Sequence, residues 1–375
     1  MNTSANIVSA NEAIAIVKTS VQTLLDNPEL ANSLPAICFR GAPGVGKSSI
    51  VRSVADSLNI EFRDMRLADL ERVDISGLPS VENGQTKWNV PSFLPTDPKS
   101  KGILLLDEIT AAPHDCQVAA YSLVLDRTIP NSNYRLPDGW YVIAAGNRTT
   151  DRAVAKTMSS ALSNRFMHFE LEANSEDWGF WAVEHNIHPS VTGYIQYRPG
   201  CLFRMEDENL ECGWPSPRSW EKVSNMIPLF ASNEDVLRKI VYGLVGPAAG
   251  LEFMEFHRHS SKTTDVLKWL TNSKAKIEIP EKADERYAIT AAASYLVWNG
   301  KTKKDDEKRA DGILRLAMEL PNSFATALFK QVCCGNKRVN RMKALAYIVS
   351  APSYPIFAEK FERLAAEVKL ATLNI

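Results

Sequence analysis

The stretch Gly41-Ala42-Pro43-Gly44-Val45-Gly46-Lys47-Ser48 constrains this chain more than any other. It fits the phosphate-loop template G-x-x-x-x-G-K-[ST] at every fixed position. Such a loop works only between a strand and a helix, and the flanks supply both. Ala36-Ile37-Cys38-Phe39 is a short apolar run that reads as a buried strand. Ser48 to Leu58 reads as a helix with Ile50, Val51, Val54, Ala55 and Leu58 on one face. Glycines let the backbone wrap a phosphate without a side chain in the way. The N–H groups of the loop and of the helix start, Ser49 included, then point at the anion. Lys47 is placed to reach β- and γ-phosphates and Ser48 to hold Mg²⁺. The competing reading is a glycine turn that happens to end in Lys-Ser, and the flanking strand and helix speak against it.

Two further sheet-edge segments add chemistry. Gly102-Ile103-Leu104-Leu105-Leu106-Asp107-Glu108 is an apolar run ending in acids. It fits a strand buried on both faces with carboxylates at its C-terminal edge, where open α/β sheets bind ligands. Asp107 is placed to bind Mg²⁺, and Glu108 to polarise a water for attack on a γ-phosphate. Trp140 to Ala145 reads as another strand, running into Gly146-Asn147-Arg148. Asn147 either orients the attacking water or merely caps the strand.

The rest of the first half alternates helices and strands. Asn11 to Leu25 and Pro113 to Leu125 read as helices, Ile60 to Arg63 and Phe166 to Phe169 as strands, and Ser159 to Phe166 as a short helix. Five strands in this order imply a mostly parallel sheet with helices on both faces. Residues 64–100 are rich in Gly and Pro, and Asn83-Gly84 signals a hairpin. Trp88 and Phe93 beside it are either packed on the core or displayed.

From Ser175 the strand signal vanishes. Asp177 to Asn186, Val236 to Phe256, Glu281 to Trp298, Ile313 to Leu320 and Phe324 to Val332 read as helices. Ser216-Pro217-Arg218 reads as a helix start, with Ser216 as cap and Pro217 in the first turn. Arg218 then sits where the helix dipole disfavours it, which suggests an anion to meet or an acid to pair with. Lys301 to Arg309 reads as a solvated loop or helix face; the basic set Lys337, Arg338, Arg341 and Lys343 near Cys333-Cys334 reads as one solvated helix face, with contact to nucleic acid or an acidic partner as the alternative. His257-Arg258-His259 lacks a second pair at zinc-ligand spacing.

The totals narrow the class. At 375 residues the chain has room for two or three domains, and 45% hydrophobic with 23% charged residues is ordinary for a soluble protein. A net charge of -1 gives no global attraction to nucleic acid or an acidic membrane. Six cysteines without a C-x-x-C pair suggest buried thiols in a reducing compartment. There is no signal-peptide pattern and no apolar run long enough to span a membrane, so the expected location is the cytoplasm.

Taken together these residues resemble the AAA+ ATPases, and more closely the MoxR family within them. The features occur in that family's order: the phosphate loop at 41–48, the pair Asp107-Glu108, Asn147 as sensor 1, Arg165 as arginine finger and Arg218 as sensor 2. Arg72-Val73-Asp74-Ile75-Ser76-Gly77-Leu78-Pro79 resembles the entry to the family's helix-2 insert, and Ser216-Pro217-Arg218-Ser219-Trp220 its lid-helix start. Asn164 stands before Arg165 where the family usually has Asp, and Arg148 and Arg152 are rivals for the finger role.

The resemblance implies an α/β phosphate-loop core with a five-stranded parallel sheet over 1–172, carrying an insert near 70–98. An α-helical lid over 173–275 and extra C-terminal helices over 276–375 would follow. It also implies ATP and Mg²⁺ as ligands, and a homo-hexameric ring in which a neighbour's arginine completes each site. The work would be chaperone-like remodeling of a client protein, in this family often beside a von Willebrand factor A domain protein. A nucleic-acid motor or loader on the same core, and a nucleotide-gated scaffold with little turnover, are the competing functions.

Overall fold

A computed structural model describes residues 6–129, 132–151, 156, 158–205, 213–260 and 265–366. Arg152, a rival for the finger role, lies outside these residues. The chain divides into two compact units, residues 1–173 and 174–375.

The first unit is α/β. Its elements in chain order are β1 (Ile7–Val8), α1 (Ala10–Asp26), β2 (Ala36–Arg40), α2 (Lys47–Leu58), β3 (Glu61–Arg66) and α3 (Arg72–Ser76), then β4 (Leu78–Glu82), β5 (Gln85–Asn89), β6 (Gly102–Asp107), α4 (His114–Leu125), β7 (Trp140–Gly146), α5 (Ser160–Ser163) and β8 (Phe166–Leu171). Among the described residues one parallel sheet runs in the order β1-β8-β2-β7-β6-β3. It therefore has six strands, not the five expected. The extra strand is the two-residue β1, whose Ile7 and Val8 pair with Glu170 and Leu171. Two residues are too few to show a periodicity, so the sequence gives no sign of it.

The middle of the sheet is dry. Ile103, Leu104, Leu105 and Leu106 of β6 are fully buried, as are Ile37 and Cys38 of β2 and Ile143 and Ala144 of β7. Each buried Leu or Ile contributes roughly 1.5–3 kcal/mol by leaving water, and burial on both faces explains why β6 reads as a continuous apolar run. Burial also pushes the Cys38 thiol up to about 11, so it stays protonated and inert. Helix α1 opens on a capping box in which Ser9 and Glu12 satisfy each other's backbone N–H groups. Its Val17, Val21 and Leu24 are buried.

The stretch between β3 and β6 forms α3 and then a two-stranded antiparallel hairpin, with Val81 opposite Thr86. Asn83 and Gly84 both have positive φ, 52° and 75°, as a type I′ turn requires. The hairpin is exposed, with Leu78 at 63% and Val81 at 77%. Of its two questioned aromatics, Phe93 packs against the buried core and Trp88 is half-buried.

The second unit is helical. It contains α6 (Ser175–Glu184), α7 (Pro189–Tyr197), α8 (Pro217–Phe230), α9 (Glu234–Val245), α10 (Pro247–Ser260), α11 (Asp265–Thr271), α12 (Ala283–Val297), α13 (Lys303–Glu319), α14 (Asn322–Cys334), α15 (Arg341–Val349) and α16 (Tyr354–Lys360). The helices before and after residue 275 belong to this one unit, and α7 packs along α12. The charge run Lys301 to Arg309 is largely the first half of α13, capped by Thr302 and Asp305.

One member of the basic set near the C-terminus, Arg338, is exposed yet has structural partners. Arg338 donates to the Trp298 carbonyl at 2.8 Å and also pairs with Asp306. Asp306 is 1% exposed, and an uncompensated buried carboxylate would be costly. No helix among the described residues is long and apolar enough to cross a membrane.

Candidate functional site

The phosphate-loop residues of the sequence occupy the turn from β2 into α2. Gly44 and Gly46 adopt φ of 86° and 99°, in the region that favours glycine. A Cβ at Gly46 would meet nothing within 4 Å, so conformation alone selects glycine there. At Gly41 the reason is space, because a Cβ would lie 2.5 Å from the Leu171 carbonyl oxygen. Ala42 and Val45 are buried and Pro43 half-buried, which anchors the loop to the unit. Gly46 is the N-cap of α2 and offers no side-chain acceptor to the helix's first N–H groups, those of Lys47, Ser48 and Ser49. Uncapped donors at the start of a twelve-residue helix are a ready anion site.

Lys47 is only 9% exposed. Its Nζ donates to the Gly41 carbonyl at 2.7 Å, the Ala42 carbonyl at 3.1 Å and Asn147 Oδ1 at 3.0 Å. Ser48 Oγ donates to Asp107 Oδ2 at 2.6 Å. Asp107 is buried at the C-terminal end of β6, and its other oxygen, Oδ1, accepts the Glu108 N–H at 2.9 Å. Four residues singled out in three separate segments thus meet at one sheet edge: Lys47, Ser48, Asp107 and Asn147.

Glu108 follows directly and is half-buried, with φ of 55°. A non-glycine residue in the left-handed region costs of order 1–3 kcal/mol and persists only where its surroundings enforce it. Here the Glu108 carbonyl accepts the N–H groups of Ala111 and Ala112 at 2.8 and 3.2 Å, closing a turn just past the strand.

The arginines fall in different places. Arg165, just after α5, donates to the Ala161 carbonyl and lies 4.2 Å over the Tyr121 ring. Arg148 pairs with Asp151 at 2.9 Å and with Glu170. Burial alone would lower Arg148, but the hydrogen bond to Glu170 and the pairing with Asp151 hold it above the usual arginine range. Arg218 stands in the first turn of α8 in the second unit, exposed, behind a cap in which Ser216 and Ser219 satisfy each other. Its side chain has no hydrogen bond or ion pair among the described residues.

Two residues of the site escape the sequence patterns. Asp64 lies on β3 opposite Leu105, and partial burial and the neighbouring Asp107 push its carboxyl above the usual range. The apolar pattern stops at Arg63, so nothing marks the next residue as belonging to the edge. Thr110 is 4% exposed, and its Oγ1 accepts the backbone N–H of Asn147 at 3.0 Å. In the sequence it is marked only as part of the run Leu105 to Pro113, which resembles the MoxR family's acidic-strand signature and gives Thr110 no role of its own.

The arrangement fits a triphosphate nucleotide with Mg²⁺. One hydroxyl and one carboxylate are what Mg²⁺ uses when most of its ligands are waters and phosphate oxygens. The uncapped helix start and the buried ammonium of Lys47 suit the phosphates.

Residues 36–166 match the AAA domain (dynein-related subfamily). Lon protease of Finegoldia magna is 32% identical over 130 residues, 34% of this chain and 17% of that protein. The human protein Lon protease homolog 2, peroxisomal, is 30% identical over 145 residues, 37% of this chain and 17% of that one. The chain thus spans only 17% of the length of each of these two curated relatives.

Among solved structures, a RuvB mutant of Thermotoga maritima aligns over 74% of this chain and 81% of its own, at 15% identity and a TM-score of 0.36. NtrX of Brucella abortus in complex with ATP aligns over 94% and 68%, at 13% identity and the same TM-score. The match to the AAA domain is confined to residues 36–166, about a third of the chain.

Proposed function

We propose that this chain hydrolyses ATP and uses the energy to remodel or activate a client protein, as a ring-forming AAA+ ATPase of the MoxR type. The observation that carries the reading is the meeting of Lys47, Ser48, Asp107 and Asn147 at the end of β6, with Glu108 next in the chain. Gly41 to Ser49 cradle the phosphates, and Lys47 turns its ammonium to the β- and γ-phosphate oxygens. Ser48 and Asp107 would hold Mg²⁺, which would supply charge neutralisation for the phosphates. Glu108 takes the proton of a water as its oxygen bonds to the γ-phosphorus, and the bond from that phosphorus to the ADP oxygen breaks. Asn147 orients the water.

Arg165 acts as the finger toward a neighbouring subunit, leaving its place over Tyr121. Arg218 meets the nucleotide as sensor 2. Residues 173–275 serve as the lid, and 276–375 as an extension whose task is separate from hydrolysis. The exposed hairpin 78–89 is the natural client contact, since Leu78 and Val81 present apolar surface at its tip and base. The setting is the cytoplasm, the assembly a homo-hexamer, and the client a protein, one with a von Willebrand factor A domain being the family's usual neighbour. The net charge of -1 disfavours a nucleic-acid motor. The test is phosphate release from ATP by wild type beside Glu108→Gln, the first turning over and the second only binding.

A further inference from the structure

The segment that leaves β6 and the segment that leaves β7 are tied together beyond the end of their strand pairing. The paired registers of β6 and β7 end at Leu106 opposite Ala144. Past that point the Ile109 N–H still reaches the Ala145 carbonyl at 3.0 Å. The next rung is supplied by a side chain, Thr110 Oγ1, which accepts the Asn147 N–H at 3.0 Å. The Thr110 carbonyl in turn accepts the Lys156 N–H at 2.6 Å. The fit is tight, because a Cβ on Gly146 would lie 2.7 Å from Thr110 Cγ2 and 2.8 Å from its Oγ1. Thr110 thus grips the two residues from which the Asn147 side chain projects toward Lys47, while its own backbone belongs to the turn that fixes Glu108.

We infer that Thr110 is a positioning residue that holds Asn147 in register with Glu108, so that it sets the rate of the chemical step rather than the affinity for nucleotide. The hydroxyl supplies the acceptor and the methyl group sets the distance to Gly146. The inference rests on the reading of Glu108 and Asn147 as the water-handling pair. A part-buried N–H that loses its acceptor moves to find another or draws in water. Either movement shifts Asn147 relative to Glu108, and displacements near 1 Å can cost about a hundredfold in rate.

The test compares Thr110→Val, which keeps the shape and removes the acceptor, with Thr110→Ser, which keeps the acceptor, and Thr110→Ala as a second variant lacking it. Thr110→Val and Thr110→Ala should lower kcat by about 10- to 100-fold and leave the Kd for ATP within about twofold. Thr110→Ser should recover most of the rate. Equal kcat in wild type and Thr110→Val, or a loss confined to nucleotide affinity, overturns the proposal.

Amide exchange in the nucleotide-free protein provides a readout without turnover. Exchange at Asn147 should quicken in Thr110→Val and not in Thr110→Ser, and unchanged protection there overturns the proposal whatever the rates. A wild type that hydrolyses no ATP would overturn the reading of the site instead, with the exchange result still deciding whether Thr110 holds Asn147.

Discussion

Lys47→Ala should damage the protein twice, and the two losses can be measured apart. In the folded chain the ammonium is 9% exposed and satisfies the carbonyls of Gly41 and Ala42 and the side-chain oxygen of Asn147, at 2.7, 3.1 and 3.0 Å. Hydrogen bonds from a charged donor are worth roughly 1.5–3 kcal/mol each, but desolvating the ammonium takes much of that back. Truncation leaves three acceptors poorly paired, so the net loss of stability should be about 1–3 kcal/mol. The second loss is in binding. An ammonium about 4 Å from a phosphate charge, at an effective dielectric near 20, contributes about 4 kcal/mol, or about three powers of ten in affinity. Urea unfolding without nucleotide reads the first effect, and titration of a fluorescent ATP analogue at a urea-free temperature where the variant is folded reads the second. A folded variant whose Kd stays within about tenfold of wild type would refute the assignment of Lys47 to the phosphates.

Arg165→Ala should bind ATP as wild type does and hydrolyse it slowly, and mixing it with Lys47→Ala should restore part of the rate; no recovery on mixing would remove Arg165 as a finger acting between subunits. Acid should weaken the helical unit through His188, whose pKa is lowered to about 4, first by burial and then by His257, with ring centres 5.9 Å apart. The folded value lies below the ordinary one of about 6.5, so this stability is complete above pH 6.5 and is lost as the pH falls toward 4. The loss should reach at most about 3 kcal/mol. His188→Asn keeps a side chain able to cap α7 as His188 does through Ser190, so it should flatten this part of the pH profile; an unchanged slope in urea midpoints between pH 7 and 4.5 would contradict it.

The parts of the core that could be read in advance are those where one local pattern decides the structure. A glycine loop needs a strand before it and a helix after it, and an apolar run ending in Asp-Glu has few other uses beside such a loop. These local patterns therefore bring Lys47, Ser48 and Asp107 together. The Ser216 cap, with Pro217 in the first turn, is legible for the same reason, since its chemistry lies within four residues.

What could not be read depends on partners far along the chain. Arg148 is a free candidate in the sequence, yet Glu170, from another strand, holds it. Arg338 looks like one of four solvated cations until Asp306 and the Trp298 carbonyl, both remote in sequence, are brought beside it. Thr110 carries no separate signal within the run Leu105 to Pro113, because its contact with Asn147 comes from the parallel pairing of β6 with β7. Short elements fail differently. Ile7–Val8 and Asp265–Thr271 hold too few residues to show a period, and tertiary contacts alone make them regular.

The central claim is an ATP site whose chemistry depends on one carboxylate, and the most direct measurement is a paired one on wild type and Glu108→Gln. Each is incubated with Mg²⁺ and radiolabelled ATP, and bound nucleotide and released phosphate are counted together. Wild type should release phosphate continuously. Glu108→Gln should retain ATP with near wild-type affinity and release phosphate about 10²- to 10⁴-fold more slowly, the usual worth of a positioned general base. Turnover in the variant equal to wild type would remove Glu108 from the chemistry, and ATP bound by neither protein would contradict the nucleotide site itself.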